Sequence, residues 1–120
     1  MTILYGIANC DTVRKARKWL TSHEVDYQFH DFRKEGLSAK QLKHWAKAVG
    51  WETLLNRRGQ TWRKLPDKAK ADLNEANALK LMQAEPTLIK RPVLEIKSQV
   101  HVGFKDADYQ NLFGYVKHKI

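Results

Sequence analysis

The sequence predicts an α/β domain with the order strand, helix, strand, then a run of helices, then strand, strand, helix. Three observations predict it. An apolar run from Ile3 to Ile7 is followed closely by a basic amphipathic stretch with Val13, Ala16 and Leu20 on one face, the period of a strand giving way to that of a helix. The middle of the chain, roughly residues 37 to 86, carries only helical spacings and their caps. After it the period returns to two, in Val93-Leu94-Glu95-Ile96 and Val100-His101-Val102-Gly103-Phe104, which is a hairpin signal.

Each element has its own reason. Asp11 or Thr12 is placed to cap the first helix, being of the residue types whose side-chain oxygens satisfy orphan N–H groups. Arg14, Lys15, Arg17 and Lys18 occupy its remaining faces. Tyr27 to Phe32 alternates, with Tyr27, Phe29 and Asp31 on one side and Gln28 and His30 on the other. Strand, helix and strand in so short a stretch read as a βαβ unit with a parallel pair. Ser38-Ala39-Lys40-Gln41 is a capping box, and Leu42, Trp45, Ala46 and Val49 follow at helical spacing until Gly50 stops the helix. Trp51 to Leu65 is short, basic and turn-rich around Asn56-Arg57-Arg58-Gly59. Pro66-Asp67 opens another helical stretch, and Asn74 caps one more, carrying Ala78, Leu81 and Met82 and ended by Pro86. Lys97-Ser98-Gln99 is the hairpin turn, and Asp106 caps a last helix with Tyr109, Leu112, Phe113 and Val116 on one face.

At 120 residues, 42% hydrophobic and 10% aromatic, the chain reads as one domain with a core of its own, needing neither disulfide nor structural metal. No apolar run approaches membrane-spanning length, and Met1-Thr2-Ile3-Leu4 enters a strand rather than a signal peptide. With a single cysteine there is no intrachain disulfide, and a cytoplasmic location without a membrane partner is the expectation. The formal charge is +9, but the 22 Lys and Arg run from Arg14 to Lys119 in groups no longer than two. That spread disfavours specific nucleic-acid binding and leaves a general attraction to anionic substrates or acidic protein surfaces. The histidines at 23, 30, 44, 101 and 118 have no metal-ligand spacing, and no glycine-rich phosphate loop or Gly-x-Ser-x-Gly elbow is present. Neither a metal nor a bound cofactor is expected.

The lone cysteine lies in Tyr5-Gly6-Ile7-Ala8-Asn9-Cys10-Asp11-Thr12-Val13-Arg14, at the junction of strand and helix. A thiol there meets unpaired backbone N–H groups and the positive end of the helix dipole, and both favour thiolate over thiol. The competing reading is a small, inert, buried side chain.

Cys10-Asp11-Thr12-Val13-Arg14, taken with Arg91-Pro92-Val93 opening the hairpin, resembles the family of glutaredoxin-coupled arsenate reductases (ArsC) and Spx regulators over essentially the whole chain. The resemblance implies a thioredoxin-like (glutaredoxin-like) α/β fold, βαβ…ββα, built from about residues 1–36 and 87–120 around an all-helical insertion at about 37–86. It implies that Cys10 is the redox cysteine, matches Arg14 to the arginine four residues beyond it, and matches Pro92 to a proline usually cis beside the site. In that fold Arg91 would aim a fixed fork of donors at an oxyanion near Cys10, and Arg57 or Arg58 would add a second cation. Arg14 is equally well read as packing its stem along the helix and meeting a carboxylate, and His101 as structural. Thiolate, helix N-terminus and two or three guanidinium groups make an oxyanion site next to a nucleophile.

The departures narrow the resemblance. Asp11 stands where the arsenate reductases carry glycine, Gly6 where they carry histidine, and Val102-Gly103-Phe104-Lys105 where they carry a third anion-binding arginine. Spx regulators sense oxidation through Cys-x-x-Cys, and here Val13 holds the second position. What remains is similar to the single-cysteine YffB-like group. That implies a glutathione-dependent reductase of thiols or small oxyanions whose cycle passes through an external thiol, glutathione or a glutaredoxin. The alternative is a non-catalytic, Spx-like module that binds RNA polymerase or another protein through its basic surface.

Overall fold

A computed structural model of the chain describes residues 1–114. The first strand, β1 (Thr2–Gly6), sends Leu4 to one face and Tyr5 to the other, as strand geometry requires. It lies inside a four-stranded sheet of order β2-β1-β3-β4. β2 (Gln28–Asp31) runs parallel to it, from Ile3 opposite Gln28 to Gly6 opposite Asp31. A parallel neighbour needs a crossover, and α1 (Asp11–Ser22) supplies it. On the other side β3 (Val93–Ile96) is antiparallel, with Tyr5 opposite Val93. β4 (Gln99–Val102) closes the hairpin after a turn at Lys97 and Ser98, where Lys97 adopts a φ of 56°.

Between β2 and β3 lie α2 (Phe32–Glu35), α3 (Ala39–Val49), α4 (Trp51–Leu54), α5 (Gln60–Lys64), α6 (Asp67–Ala71), α7 (Glu75–Ala84) and a 3-10 turn, Pro86–Leu88. α8 (Asp106–Phe113) follows β4. The caps expected at Ser38 and Asn74 form: Ser38 Oγ accepts from the Gln41 N–H at 3.1 Å and Asn74 Oδ1 from the Asn77 N–H at 2.9 Å. Two others differ. α1 begins one or two residues earlier than a cap at Asp11 or Thr12 implies, and α8 one residue earlier than expected, with Cys10 and Lys105 at their N-caps and no side-chain cap bond. Asp11 and Asp106 therefore fall in the first turn, where a carboxylate faces the dipole rather than a backbone donor, and Asp106 Oδ1 accepts from Gln110 Nε2 at 2.6 Å. The turn-rich stretch from Trp51 to Leu65 contains two short helices, α4 and α5, around the Asn56–Gly59 turn. Val116 and His118 lie outside the described residues.

The sheet divides the core. Leu4 and Leu94 pack with Val13, Ala16, Trp19 and Leu20 of α1 and Tyr109 of α8, all at most 5% exposed. On the opposite face Tyr5 and Val93 meet Leu42 and Trp45 of α3, Leu54, Met82, Leu88 and Ile89. That second face holds one carboxylate, Glu95, which accepts from Trp45 Nε1 at 2.6 Å, from the Tyr5 hydroxyl at 3.3 Å and from Gln41 Nε2. Burial, with the Glu95 charge and hydrogen bond added, pushes the Tyr5 pKa up to about 12.

Four contacts sew the helical insertion to the segment that leads into β3. Leu55 bridges Ile89. The Asn56 N–H donates to the Leu88 carbonyl and the Lys90 N–H to the Leu54 carbonyl, each at 2.7 Å, and the Thr61 and Thr87 hydroxyls lie 2.6 Å apart. No helix among the described residues is long and apolar enough to cross a membrane.

Candidate active site

Because α1 begins at Asp11, the cysteine itself is the N-cap residue, with φ −92° and ψ 128°. Its backbone is fixed on both sides: the Cys10 N–H donates to the Ile7 carbonyl at 3.1 Å, and its carbonyl accepts from the Arg14 N–H at 2.9 Å. The thiol is half-buried and points where the first free N–H groups of the helix converge. Burial is the largest single influence on it and pushes its pKa up. The Val13 N–H, the Arg91 guanidinium and the Thr12 N–H act the other way and together outweigh it, so the Cys10 pKa lies below that of an ordinary thiol.

Arg91 is held by its own chain. Its Nη1 donates to the Thr87 carbonyl at 2.9 Å and the Ile89 carbonyl at 3.0 Å, so the guanidinium keeps one orientation beside the sulfur. Its Nε is buried and has no acceptor among the described residues. A buried donor without a partner costs stability, and an anion bound next to Cys10 would satisfy it. The Arg91–Pro92 peptide bond is cis, and the Pro92 carbonyl accepts from the Gly103 N–H at 2.8 Å. Cys10, Thr12, Asn56, Lys90, Arg91 and Gly103 line a cleft of about 250 Å³.

Three of the charged residues singled out in the sequence are placed elsewhere. Arg57 and Arg58 are exposed and do not line the cleft. The bridge between Leu55 and Ile89 brings Asn56 to the cleft instead, and the chain then turns outward. Arg57 lies over the Trp62 ring with Cζ 5.6 Å from its centroid, while the Arg58 N–H caps onto Asn56 Oδ1 at 3.1 Å and its carbonyl accepts from Arg63 Nη2 at 3.0 Å. The second cation of the cleft is Lys90. Arg14 pairs with Asp11 at 2.5 Å on the outside of α1, the two side chains being 57% and 86% exposed. That pairing turns the Asp11 carboxylate to solvent and Arg14, which resides elsewhere than the cleft, onto it. His101 lies 3.6 Å from Asp108 and does not reach the cleft. No metal-ligating cluster occurs among the described residues.

Besides Asn56 and Lys90, two residues have roles that sequence reasoning missed. Asp31, 7% exposed, is the buried carboxylate of the described residues. One oxygen accepts from the Ala8 N–H at 3.3 Å and the other from the Arg33 and Lys34 N–H groups at 3.0 and 3.2 Å. It thereby ties the loop that carries Cys10 to the start of α2. The available signal is an aspartate, a residue type favoured at helix N-caps, closing an alternating strand. Gly6 is the other. A Cβ there would sit 2.7 Å from Val13 Cγ2, so a side chain at position 6 and Val13 exclude each other.

The model of the ArsC family matches residues 5–112. The chain belongs to the ArsC family. The solved structure of a YffB (PA3664) protein is 50% identical, covers 92% of this chain and 97% of its own, and superposes with a TM-score of 0.90. An arsenate reductase (ArsC) related protein from Brucella melitensis is 51% identical over 93% of both chains, with a TM-score of 0.76. The global transcriptional regulator Spx of Enterococcus faecalis is 31% identical over 111 residues, 88% of this chain and 81% of the regulator. Within the ArsC family the chain therefore stands with the YffB-like group, and its βαβ…ββα sheet is the family's thioredoxin-like fold.

Proposed function

We propose that this ArsC-family protein is a glutathione-dependent thiol reductase, with small oxyanions as a second substrate class. The observation that carries the proposal is the pairing of a thiolate-favouring Cys10 with the fixed, half-satisfied guanidinium of Arg91. A nucleophile is most useful when its reactive form is populated at neutral pH. A preorganised cation beside it holds the anionic end of a substrate and stabilises the charge that moves between sulfur atoms.

In the reaction the Cys10 thiolate attacks the glutathione sulfur of a mixed disulfide. The substrate leaves as its thiolate and Cys10 becomes glutathionylated. With one cysteine in the chain, release needs an external thiol. A glutathione or glutaredoxin thiolate attacks the glutathione sulfur of the adduct, Cys10 leaves as thiolate, and the incoming thiol keeps the glutathione as a new disulfide. Arg91 and Lys90 hold carboxylates of the tripeptide during both steps, and no bound cofactor takes part. The cytoplasm, where glutathione keeps thiols reduced, suits such a cycle.

The test is mass spectrometry after incubation with oxidised glutathione. A single glutathione adduct on the wild type, absent in Cys10→Ser and removed by reduced glutathione, is the expected result. A wild type that stays unmodified refutes the cycle. A second reading, a non-catalytic module binding RNA polymerase or another protein, is supported by the 31% identity to an Spx regulator and by the charge of +9. Polymerase retention by wild type and Cys10→Ser alike, without glutathione turnover, would favour it.

A further inference from the structure

Residues 57 to 70 carry six cations, Arg57, Arg58, Arg63, Lys64, Lys68 and Lys70, against one carboxylate, Asp67. The ion pairs of the described residues, Arg14 with Asp11 and His101 with Asp108, involve none of them. Arg57, Arg58, Arg63, Lys64 and Lys68 are exposed. Uncompensated charge of one sign repels itself and destabilises the folded chain, yet this loop is held in one shape. Arg63 clamps the Arg58 carbonyl, Asn56 caps the turn, and Arg57 lies over Trp62. The same loop is sewn to the cleft wall through the Thr61–Thr87 contact and the Asn56–Leu88 bond, and Thr87 in turn holds Arg91. A positive surface therefore continues from Lys90 and Arg91 in the cleft out onto the Arg57–Arg58 turn.

We infer that this strip is a docking surface for an acidic, thiol-bearing protein segment, the partner that releases Cys10. The inference rests on the single-cysteine cycle proposed above, which needs a second thiol from outside. A small thiol confined to the cleft meets Lys90 and Arg91, whereas Arg57 and Arg58 lie beyond the cleft lining, where a protein segment extends. Nucleic acid fits less well. Trp62 is the aromatic side chain of this strip; it is half-buried against the core and its ring already carries Arg57 and Lys70, the latter's Nζ 5.2 Å from the centroid, so a base would have to displace these contacts to stack on it. In the step itself the partner's thiolate attacks the outer sulfur of the Cys10 mixed disulfide, Cys10 departs as thiolate, and the outer group remains on the partner as a new disulfide.

The experiment uses the full chain carrying a Cys10 mixed disulfide with 2-mercaptoethanol, and two probes, a glutamate-rich peptide with one cysteine and its glutamine counterpart. Release is followed by acid quench and mass spectrometry. Electrostatic steering predicts release by the glutamate peptide about tenfold faster at low salt, the ratio falling towards one near 0.5 M salt. Arg57→Gln with Arg58→Gln should remove most of that advantage and leave the glutamine peptide's rate unchanged. Lys40→Gln with Lys43→Gln, the same charge change on α3, should retain it. Equal rates for the two peptides, or an advantage untouched by the Arg57 and Arg58 changes, overturns the docking surface while Cys10 chemistry stands. A wild type that forms no mixed disulfide overturns the reading beneath it as well. A single-stranded oligonucleotide that binds with the same Arg57 and Arg58 dependence, where the acidic peptide gains nothing, assigns the strip to nucleic acid and overturns the inference.

Discussion

Gly6→Ala tests how the active-site loop is built. The added Cβ would lie 2.7 Å from Val13 Cγ2 and 3.2 Å from Cγ1, where carbon atoms in contact prefer about 3.5–4.0 Å. Val13 cannot yield easily, since it is fully buried with Leu4, Ala16 and Leu20. Overpacking of this kind costs about 1–3 kcal/mol. For a chain of 120 residues that is a fall in melting temperature of about 4–12 °C, readable by thermal unfolding followed at the tryptophans. A functional signature should accompany it. The Val13 N–H is one of the groups that stabilise the Cys10 thiolate, so displacing the first turn of α1 raises the thiol pKa, visible in the pH profile of iodoacetamide alkylation. Val13→Ala alone removes two buried methyl groups and costs about 2 kcal/mol. In the double variant the new Cβ occupies space those methyls vacate. The two costs should therefore fall short of additivity by about 1 kcal/mol or more, and the alkylation profile should move back towards wild type. A neutral Gly6→Ala, or strictly additive costs, would refute the steric account.

Replacing Arg91 by Gln should raise the Cys10 pKa towards the ordinary thiol value and slow exchange with oxidised glutathione at neutral pH by about tenfold or more, measured by stopped-flow; an unchanged alkylation profile would remove Arg91 from the site. Since the folded-state pKa of Cys10 is depressed, the thiolate contributes stability that is present above the unfolded-state value and lost as pH falls through the folded one. Denaturant titrations of wild type and Cys10→Ser should thus diverge on going to alkaline pH and converge on going to acid. Tyr5 has the opposite sign: its pKa rises from 10.0 to about 12, so its share of stability is intact below pH 10 and lost through about 12, a loss that Tyr5→Phe should not display. Asp31→Ala strips acceptors from three backbone N–H groups and should cost about 2 kcal/mol, with Asp31→Asn recovering part of it; equal stability of all three proteins would count against the tie between the Cys10 loop and α2.

What the sequence reveals follows the range of the interaction involved. The alternation that sends Leu4 and Tyr5 to opposite faces is local, and so are the caps at Ser38 and Asn74, whose donors lie three residues on. The cap of α1 falls one or two residues before the expected Asp11 or Thr12 because those two, and not Cys10, are of the usual capping type. Cys10 is legible from its own flanks. Arg91 and Pro92 become legible through the family resemblance, which carries information about distant contacts that no local pattern holds. Asn56 and Lys90 are not legible in either way. They reach the cleft through the pairing of Leu55 with Ile89 and the bonds around it, which join segments some thirty residues apart with no periodic signal. Charge draws attention to Arg57 and Arg58, but the bridge presents their neutral neighbour. Asp31 likewise depends on a partner 23 residues away, the Ala8 N–H.

The helical insertion has a part in the chemistry that its position in the chain conceals. Cys10 belongs to the βαβ half, and its helix start would lower a thiol pKa in any fold. Arg91 belongs to the segment entering β3, and its orientation depends on the Thr87 and Ile89 carbonyls. Those carbonyls are placed by the 3-10 turn, which α4 and α5 hold through Leu54, Leu55, Asn56 and Thr61. The insertion therefore orients the guanidinium half of the site and presents it to a thiol that the sheet has already positioned. Thr61→Val would test that division: loosening Arg91 lifts the Cys10 pKa and slows alkylation by neutral iodoacetamide, and should slow anionic iodoacetate further, since that reagent also loses the cation that attracts it. An equal effect on both reagents would mean that Thr61 supports the fold at large and not the placement of Arg91.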